Sequence, residues 1–153
     1  MALTAAQVAS FYAGETPLRS LLGVSVDQMA DFAGLASRWY SQGRYAQAKV
    51  IFQGLAALDE SSFYGHAGLG VIALVQEDLE LAISHLRRAH ELKPDDPTVA
   101  VNLGEALLQV GGLQEGVTLL EAAMKQDPEH ANPFVNRARA MIQGIKNQLQ
   151  QEV

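Results

Sequence analysis

Apolar and small residues recur along the chain with a period of 34 residues. Four sets of positions carry this period: Leu35, Leu69 and Leu103; Ala36, Gly70 and Gly104; Phe52, Leu86 and Leu120; Leu55, Ala89 and Ala123. Within each period the apolar positions are three or four residues apart, which predicts helices with one apolar face. Because two such helices cannot bury their apolar stripes alone, the pattern predicts stacked copies of one helical unit.

Turn and capping signals divide the repeating region into helices. Gly43 and Gly111-Gly112 mark turns, and Glu77-Asp78 lies at the corresponding place between them. The segment Ser25-Val26-Asp27-Gln28 has the pattern of a capping box, which starts a helix. The helices are predicted at residues 26–42, 45–58, 62–76, 79–93, 97–110, 113–126 and 132–149. No segment alternates as a β-strand does, so the predicted fold class is all-α.

A 34-residue unit of two helices is characteristic of the tetratricopeptide repeat (TPR), which stacks into a superhelix. We predict a TPR superhelix of three helix-turn-helix repeats, with an N-terminal helical arm and a C-terminal capping helix. The predicted parts are the arm, 1–28, the repeats, 29–62, 63–96 and 97–130, and the cap, 131–153. His66, Gly116 and Glu60 depart from the repeat pattern, which has a large apolar residue, alanine and proline at those positions.

Composition narrows the classes of partner. The chain has 153 residues, enough for one domain with a sizeable core, and a formal net charge of -6. That charge argues against nucleic acid or an anionic membrane as the main partner. The absence of cysteine excludes disulfides, thiolate metal sites and cysteine catalysis. The first residues lack a basic stretch followed by an apolar run, so no signal peptide is expected, and no apolar run is long enough to span a membrane.

The polar residues do not form a pattern that supports catalysis or metal binding. His85 and His90 are five residues apart, so they do not share a helical face as two zinc ligands would. His66 occupies a core-type position, and paired acidic residues fall at the turns, where they cap helices. We therefore expect no cofactor, no metal and no enzymatic activity.

Parts of the sequence resemble class II type III secretion chaperones. The arm motif is Phe11-x-x-Gly14-x-Thr16-x-Leu18, followed by Leu22-x-Val24-Ser25-x-Asp27. The first-repeat motif is Tyr40-Ser41-Gln42-Gly43-Arg44-Tyr45, and Gly68-Leu69-Gly70 belongs to the second repeat. The resemblance covers residues 10–149, nearly the whole chain.

The resemblance implies a cytoplasmic chaperone of a Gram-negative bacterium that binds hydrophobic translocator proteins. In that family an extended client segment with a Pro-x-Leu-x-x-Pro-like pattern lies in the concave groove, which keeps the client soluble and competent for secretion. Many members form homodimers through the arm. The arm residues that we expect to contribute are Val8, Phe11, Tyr12, Leu18, Leu21 and Leu22. An apolar arm without a core of its own packs either on the repeats or on another chain.

TPR geometry directs positions 2, 5, 9 and 12 of the first helix of each repeat into the groove, and Tyr45 lies beside Tyr40. Those positions are Ala30, Ala33, Ser37 and Tyr40, then Tyr64, Ala67, Val71 and Leu74, then Thr98, Val101, Glu105 and Leu108. Tyrosine suits a peptide groove because its ring is buried while its hydroxyl bonds the peptide backbone. The alternative is that some of these residues belong to the core between repeats. The lysine and asparagine that grip a C-terminal carboxylate in other TPR proteins are absent.

Two functions remain open from the sequence. The first is a chaperone of translocator proteins. The second is a general TPR adaptor or scaffold for another bacterial protein complex, which shares the groove but needs no hydrophobic client.

Overall fold

The computed structural model describes residues 3–151, so residues 1 and 2 of the predicted arm and 152 and 153 of the predicted cap lie outside the described part. Over this range the chain is all α-helical, as predicted. The helices are α1 (Ala5–Tyr12), α2 (Leu18–Leu21), α3 (Val26–Ser41), α4 (Tyr45–Leu58), α5 (Phe63–Val75), α6 (Leu79–Leu92), α7 (Pro97–Gln109), α8 (Leu113–Lys125) and α9 (Pro133–Gln151).

Helices α3 to α9 begin and end within two residues of their predicted limits. The capping box at Ser25 is formed, since the Ser25 side chain accepts from the Gln28 amide and the Gln28 side chain accepts from the Ser25 amide. Asp96 caps α7 by accepting from the amides of Thr98 and Val99. These local bonds occupy helix N–H groups that would otherwise lack partners, which is why the sequence located the helix starts well.

The turn inside each repeat has one residue with a positive φ angle, again at 34-residue intervals. Gly43 has φ 75°, Glu77 has φ 59° and Gly111 has φ 84°. Glycine adopts this left-handed conformation without the steric cost that a Cβ atom brings. Glu77 is therefore a strained substitute at a position where the other two repeats have glycine.

Apolar side chains form three clusters, and each cluster is shared by three consecutive helices. The first joins α3, α4 and α5, the second α5, α6 and α7, and the third α7, α8 and α9. Each repeat thus buries its stripe against the first helix of the next one, as a TPR stack requires. Helix α9 takes the place of a fourth repeat's first helix and contributes Val135, Ala138 and Ile142.

His66 and Glu60, two of the departures from the repeat pattern, are joined by one hydrogen bond. The Nε2 atom of His66 lies 3.1 Å from the Glu60 carbonyl oxygen, so the histidine is bonded at the edge of the stack. The third departure, Gly116, comes from close helix packing. A Cβ atom on Gly116 would lie 2.9 Å from the Gly104 carbonyl oxygen, and one on Gly104 would lie 3.0 Å from the Gly116 carbonyl oxygen.

The arm folds back onto the first repeat. Arg19 Nε donates to Asp59 Oδ2 at 2.6 Å, and α2 packs on α4. Leu21, expected at a dimer interface, is instead buried within its own chain, with 7% of its surface exposed. Phe32 of α3 is 48% exposed, because no repeat precedes the first one to cover that position.

Candidate functional site

Helices α3, α5 and α7 line two adjoining cavities with volumes of about 340 and 300 Å³. We call these the first and the second cavity. Tyr40, Val71, Thr98 and Asn102 line both, so together the cavities form one continuous groove.

The first cavity is predominantly apolar. Its walls carry Ala33, Ser37 and Tyr40 from α3, Phe63, Tyr64, Ala67, Gly68 and Val71 from α5, and Asp96, Thr98, Val99 and Asn102 at and after the start of α7, with Phe52 of α4 beneath them. A Cβ atom at Gly68 would collide with the Phe52 ring, so the absence of a side chain there lets the ring lie against α5. The small residues Ala33 and Ala67 leave room for an inserted apolar side chain.

Tyr40 stands where the two cavities meet. Its ring packs against that of Tyr45 in a tilted arrangement, with centroids 5.3 Å apart and planes inclined by 59°. Burial, and secondly Tyr45, raise the pKa of the Tyr40 hydroxyl, against a smaller opposing effect of Arg137. The hydroxyl therefore stays protonated near neutral pH and is able to donate a hydrogen bond to a ligand.

The second cavity is more polar. Helix α7 contributes a stripe of residues three and four positions apart, and α9 contributes two more: Thr98, Asn102, Glu105 and Gln109, then Phe134 and Arg137. Arg137 Nη2 lies 2.6 Å from Asn102 Oδ1 and 3.0 Å from Glu105 Oε2. The cap helix α9 therefore forms one end of the groove instead of only covering the core.

The groove residues predicted from the sequence are placed as follows. Ala33, Ser37, Tyr40, Tyr64, Ala67 and Val71 line the first cavity, while Leu74 and Glu105 line the second. Thr98 lines both cavities, whereas Ala30, Tyr45, Val101 and Leu108 line neither. Tyr45 stacks behind Tyr40, Val101 is fully buried in the third cluster and Leu108 packs against that cluster. Val101 is therefore corrected to a core residue, because α7 turns this face toward α8 and α9 instead of the groove, while Leu108 is half-buried beside it.

Sequence reasoning missed ten residues that line the groove, namely Phe52, Phe63, Gly68, Val75, Asp96, Val99, Asn102, Gln109, Phe134 and Arg137. For Asn102 the spacing of polar residues in α7 was a usable signal. In the otherwise apolar α7, Thr98, Asn102, Glu105 and Gln109 follow helical spacing and mark a face that is not core. For Arg137 the sequence gives no such signal, because it is one of several polar residues of the cap helix.

The arm presents apolar side chains on its outer side. Tyr12 is 83% exposed and Leu22 is 59% exposed, and Phe11 is also exposed. Val8 and Leu18 are half-buried.

Residues 3–151 contain no group of three or more histidine, cysteine, aspartate or glutamate side chains placed to hold a metal ion. None of the helices in this range is both long and apolar enough to cross a membrane.

The chain is similar to known proteins along most of its length. Two family models, both described as tetratricopeptide repeat, match residues 34–97 and 73–133. The low calcium response locus protein H of Yersinia pseudotuberculosis is 28% identical over 140 residues, which cover 90% of this chain and 83% of that protein.

Two solved structures of SycD, the type III secretion translocator chaperone of Yersinia enterocolitica, are also similar. In one, SycD is in complex with a peptide of the translocator YopD; it has a TM-score of 0.67 and 27% identity, covering 82% of this chain and 97% of that chain. The other is an alternative dimer, with a TM-score of 0.71 and 26% identity, covering 85% of this chain and 98% of that chain.

Proposed function

The chain belongs to the tetratricopeptide-repeat family, and from this premise we propose that it is a type III secretion chaperone of translocator proteins. An extended apolar segment of the client lies in the groove between α3, α5 and α7. We further propose that residues 1–28 act as the arm, 29–130 as the three binding repeats and 131–153 as the cap.

The observation that carries the proposal is the apolar first cavity, whose volume of about 340 Å³ is open between three helices. Tyr40, Tyr64 and Val71 surround a space that no side chain of the described residues fills. Its size suits one or two apolar side chains of a peptide, and burying a leucine or phenylalanine stabilises a complex by about 1.5–3 kcal/mol. The likeness to SycD, solved with a translocator peptide, supports the same occupant.

The mechanism is shielding without catalysis. Client side chains that would otherwise aggregate or insert early are buried in the groove until secretion. We place this action in the bacterial cytoplasm, where translocators are made. A moderate affinity is expected, because an extended peptide loses conformational entropy when it binds.

We also propose that the chaperone forms a homodimer through the outer side of its arm. Phe11, Tyr12 and Leu22 are exposed apolar residues of the arm, and Val8 and Leu18 are half-buried in it. The dimeric SycD structure supports a homodimer.

Calorimetric titration tests the proposed function. The protein is titrated with a translocator-like peptide of Pro-x-Leu-x-x-Pro pattern and with a scrambled peptide of the same composition. Saturable binding of the first peptide only is expected. If the folded protein binds neither peptide, the chaperone function is wrong and the general TPR adaptor takes its place.

A further inference from the structure

Asn102 is a polar residue in an apolar environment. It lies in the middle of α7 with 5% of its surface exposed, flanked by the buried residues Val101 and Leu103. It also lines both cavities, so the small part of its side chain that is accessible faces the groove.

The orientation of the Asn102 amide follows from its partner. Arginine only donates hydrogen bonds, so the atom that meets Arg137 Nη2 at 2.6 Å is the carbonyl oxygen Oδ1. The NH₂ group is therefore the free end of the amide. Within residues 3–151, Nδ2 has no hydrogen-bond acceptor, and it is not among the polar atoms that are sealed from solvent without a partner.

We propose that Asn102 is the main-chain anchor of the groove, and that its Nδ2 donates to a backbone carbonyl of the bound client segment. This inference rests on the proposed function and adds a contact to it. The client chain then crosses α7 at the junction of the cavities, with an apolar side chain in the first cavity.

Chemistry favours a main-chain carbonyl as the acceptor. When a peptide fills the groove, water leaves the Asn102 amide, and a buried donor without an acceptor destabilises the complex. An extended peptide has a carbonyl at every residue, so it provides an acceptor whatever its side chains are. The apolar contacts of the first cavity are not directional, whereas this hydrogen bond holds the backbone at a defined height above α7.

The second cavity extends this interaction. Successive side chains of an extended peptide point to opposite sides, so a residue two positions along returns to the groove side. There it meets Glu105, Gln109 and Arg137, and we expect a polar client residue at that place.

An ester scan of the client peptide tests the anchor. Each backbone amide of the Pro-x-Leu-x-x-Pro peptide is replaced in turn by an ester, whose carbonyl is a weaker acceptor, and each affinity is measured by titration. With the wild-type protein, one ester position is expected to weaken binding by about three- to tenfold more than its neighbours, the size of one hydrogen bond. With Asn102→Ala, this additional loss is expected to disappear.

Two further variants separate the anchor from a structural role. Asn102→Asp keeps the acceptor for Arg137 but removes the donor, so it too is expected to lose the position-specific ester effect. Gln109→Ala changes a residue of the same α7 stripe that lines only the second cavity. This variant is expected to keep the position-specific ester effect. Thermal unfolding of each variant checks that the protein is folded.

If the wild type, Asn102→Ala and Asn102→Asp give the same ester profile, the inference is wrong. The proposed chaperone function is not affected by that result. Failure of the unmodified peptide to bind the wild type would instead contradict the proposed function.

Discussion

The Nδ1 atoms of His66 and His85 lie 3.1 Å apart and join α5 to α6 at a cavity outside the groove. His66 Nε2 faces the Glu60 carbonyl oxygen, which only accepts, so Nε2 carries the His66 proton. In the neutral pair, His66 Nδ1 is therefore the acceptor and His85 Nδ1–H is the donor.

The histidine pair makes the protein less stable at mildly acidic pH. Burial, and secondly the neighbouring His66, lower the pKa of His85, so the unfolded chain binds a proton more readily than the folded one. The stability that the neutral His85 provides is fully present above the ordinary histidine pKa of about 6.5 and is lost as the pH falls from there through the lowered pKa of the folded state. Glu60 and Arg88 line the same cavity, and Lys49 lies on the other side of His85.

Urea unfolding between about pH 7.5 and 5.5 measures this effect, since most carboxylates stay ionised in that range. We expect the free energy of unfolding to decrease toward pH 5.5 in the wild type and to change less in His85→Gln. An equal slope in both proteins would mean that other groups cause the dependence.

Replacing Tyr40 and Tyr64 together by alanine is expected to weaken binding of the client peptide by at least about tenfold, because two aromatic walls of the first cavity are removed. Stability should change little, since Tyr64 is 45% exposed and Tyr40 faces the groove. Titration and thermal unfolding measure the two effects. Phe32→Ala, which removes an exposed aromatic ring that lines neither cavity, is the matched control. Loss of folding in the double variant would assign the two tyrosines to the core.

Gly116→Ala is expected to destabilise the protein by about 1–3 kcal/mol, because the new methyl group would press on the Gly104 carbonyl and Leu108 and force α7 and α8 apart. Gly144→Ala is the control. A Cβ atom there meets nothing within 4 Å, and alanine favours the α9 helix, so a gain of about 0.5–1 kcal/mol is expected. Denaturant unfolding compares the two variants. Equal effects would contradict the close approach of α7 and α8.

Glu77→Gly is expected to stabilise the protein, because glycine relieves the left-handed strain at φ 59°. The relief of about 1–2 kcal/mol is partly offset by the greater freedom of glycine in the unfolded chain, which leaves a net gain of about 0.5–1 kcal/mol. The thermal midpoint measures it. Gly43→Ala, at the equivalent turn of the first repeat, should shift the midpoint in the opposite direction.

Substituting serine for Tyr12 and Leu22 is expected to shift the protein from dimer to monomer in sedimentation experiments, since both side chains extend outward from the arm. Their loss should leave thermal stability unchanged at low protein concentration. Leu21→Ser provides the contrast, because Leu21 is buried on its own repeat and its replacement should lower stability. An unchanged dimer in the first variant would place the interface elsewhere.

The sequence by itself determined the fold, because the signals that define a TPR are local and repeated. The 34-residue period at Leu35, Leu69 and Leu103 located the repeats, and the caps at Ser25 and Asp96 located helix starts. Most groove residues on α3 and α5 were also accessible to this reasoning, since fixed positions of a repeat point to a fixed surface.

Only the tertiary structure decided what depends on neighbours distant in the chain. Arg137 reaches Asn102, 35 residues earlier, so α9 becomes part of the groove, and Val101 turns to the core because α8 and α9 cover its face. His66 meets His85 across two helices, and Arg19 meets Asp59, 40 residues later, where the arm packs on α4. A repeat pattern defines the position of each residue within its own unit. It does not define what the arm and the cap, which are not repeats, contact.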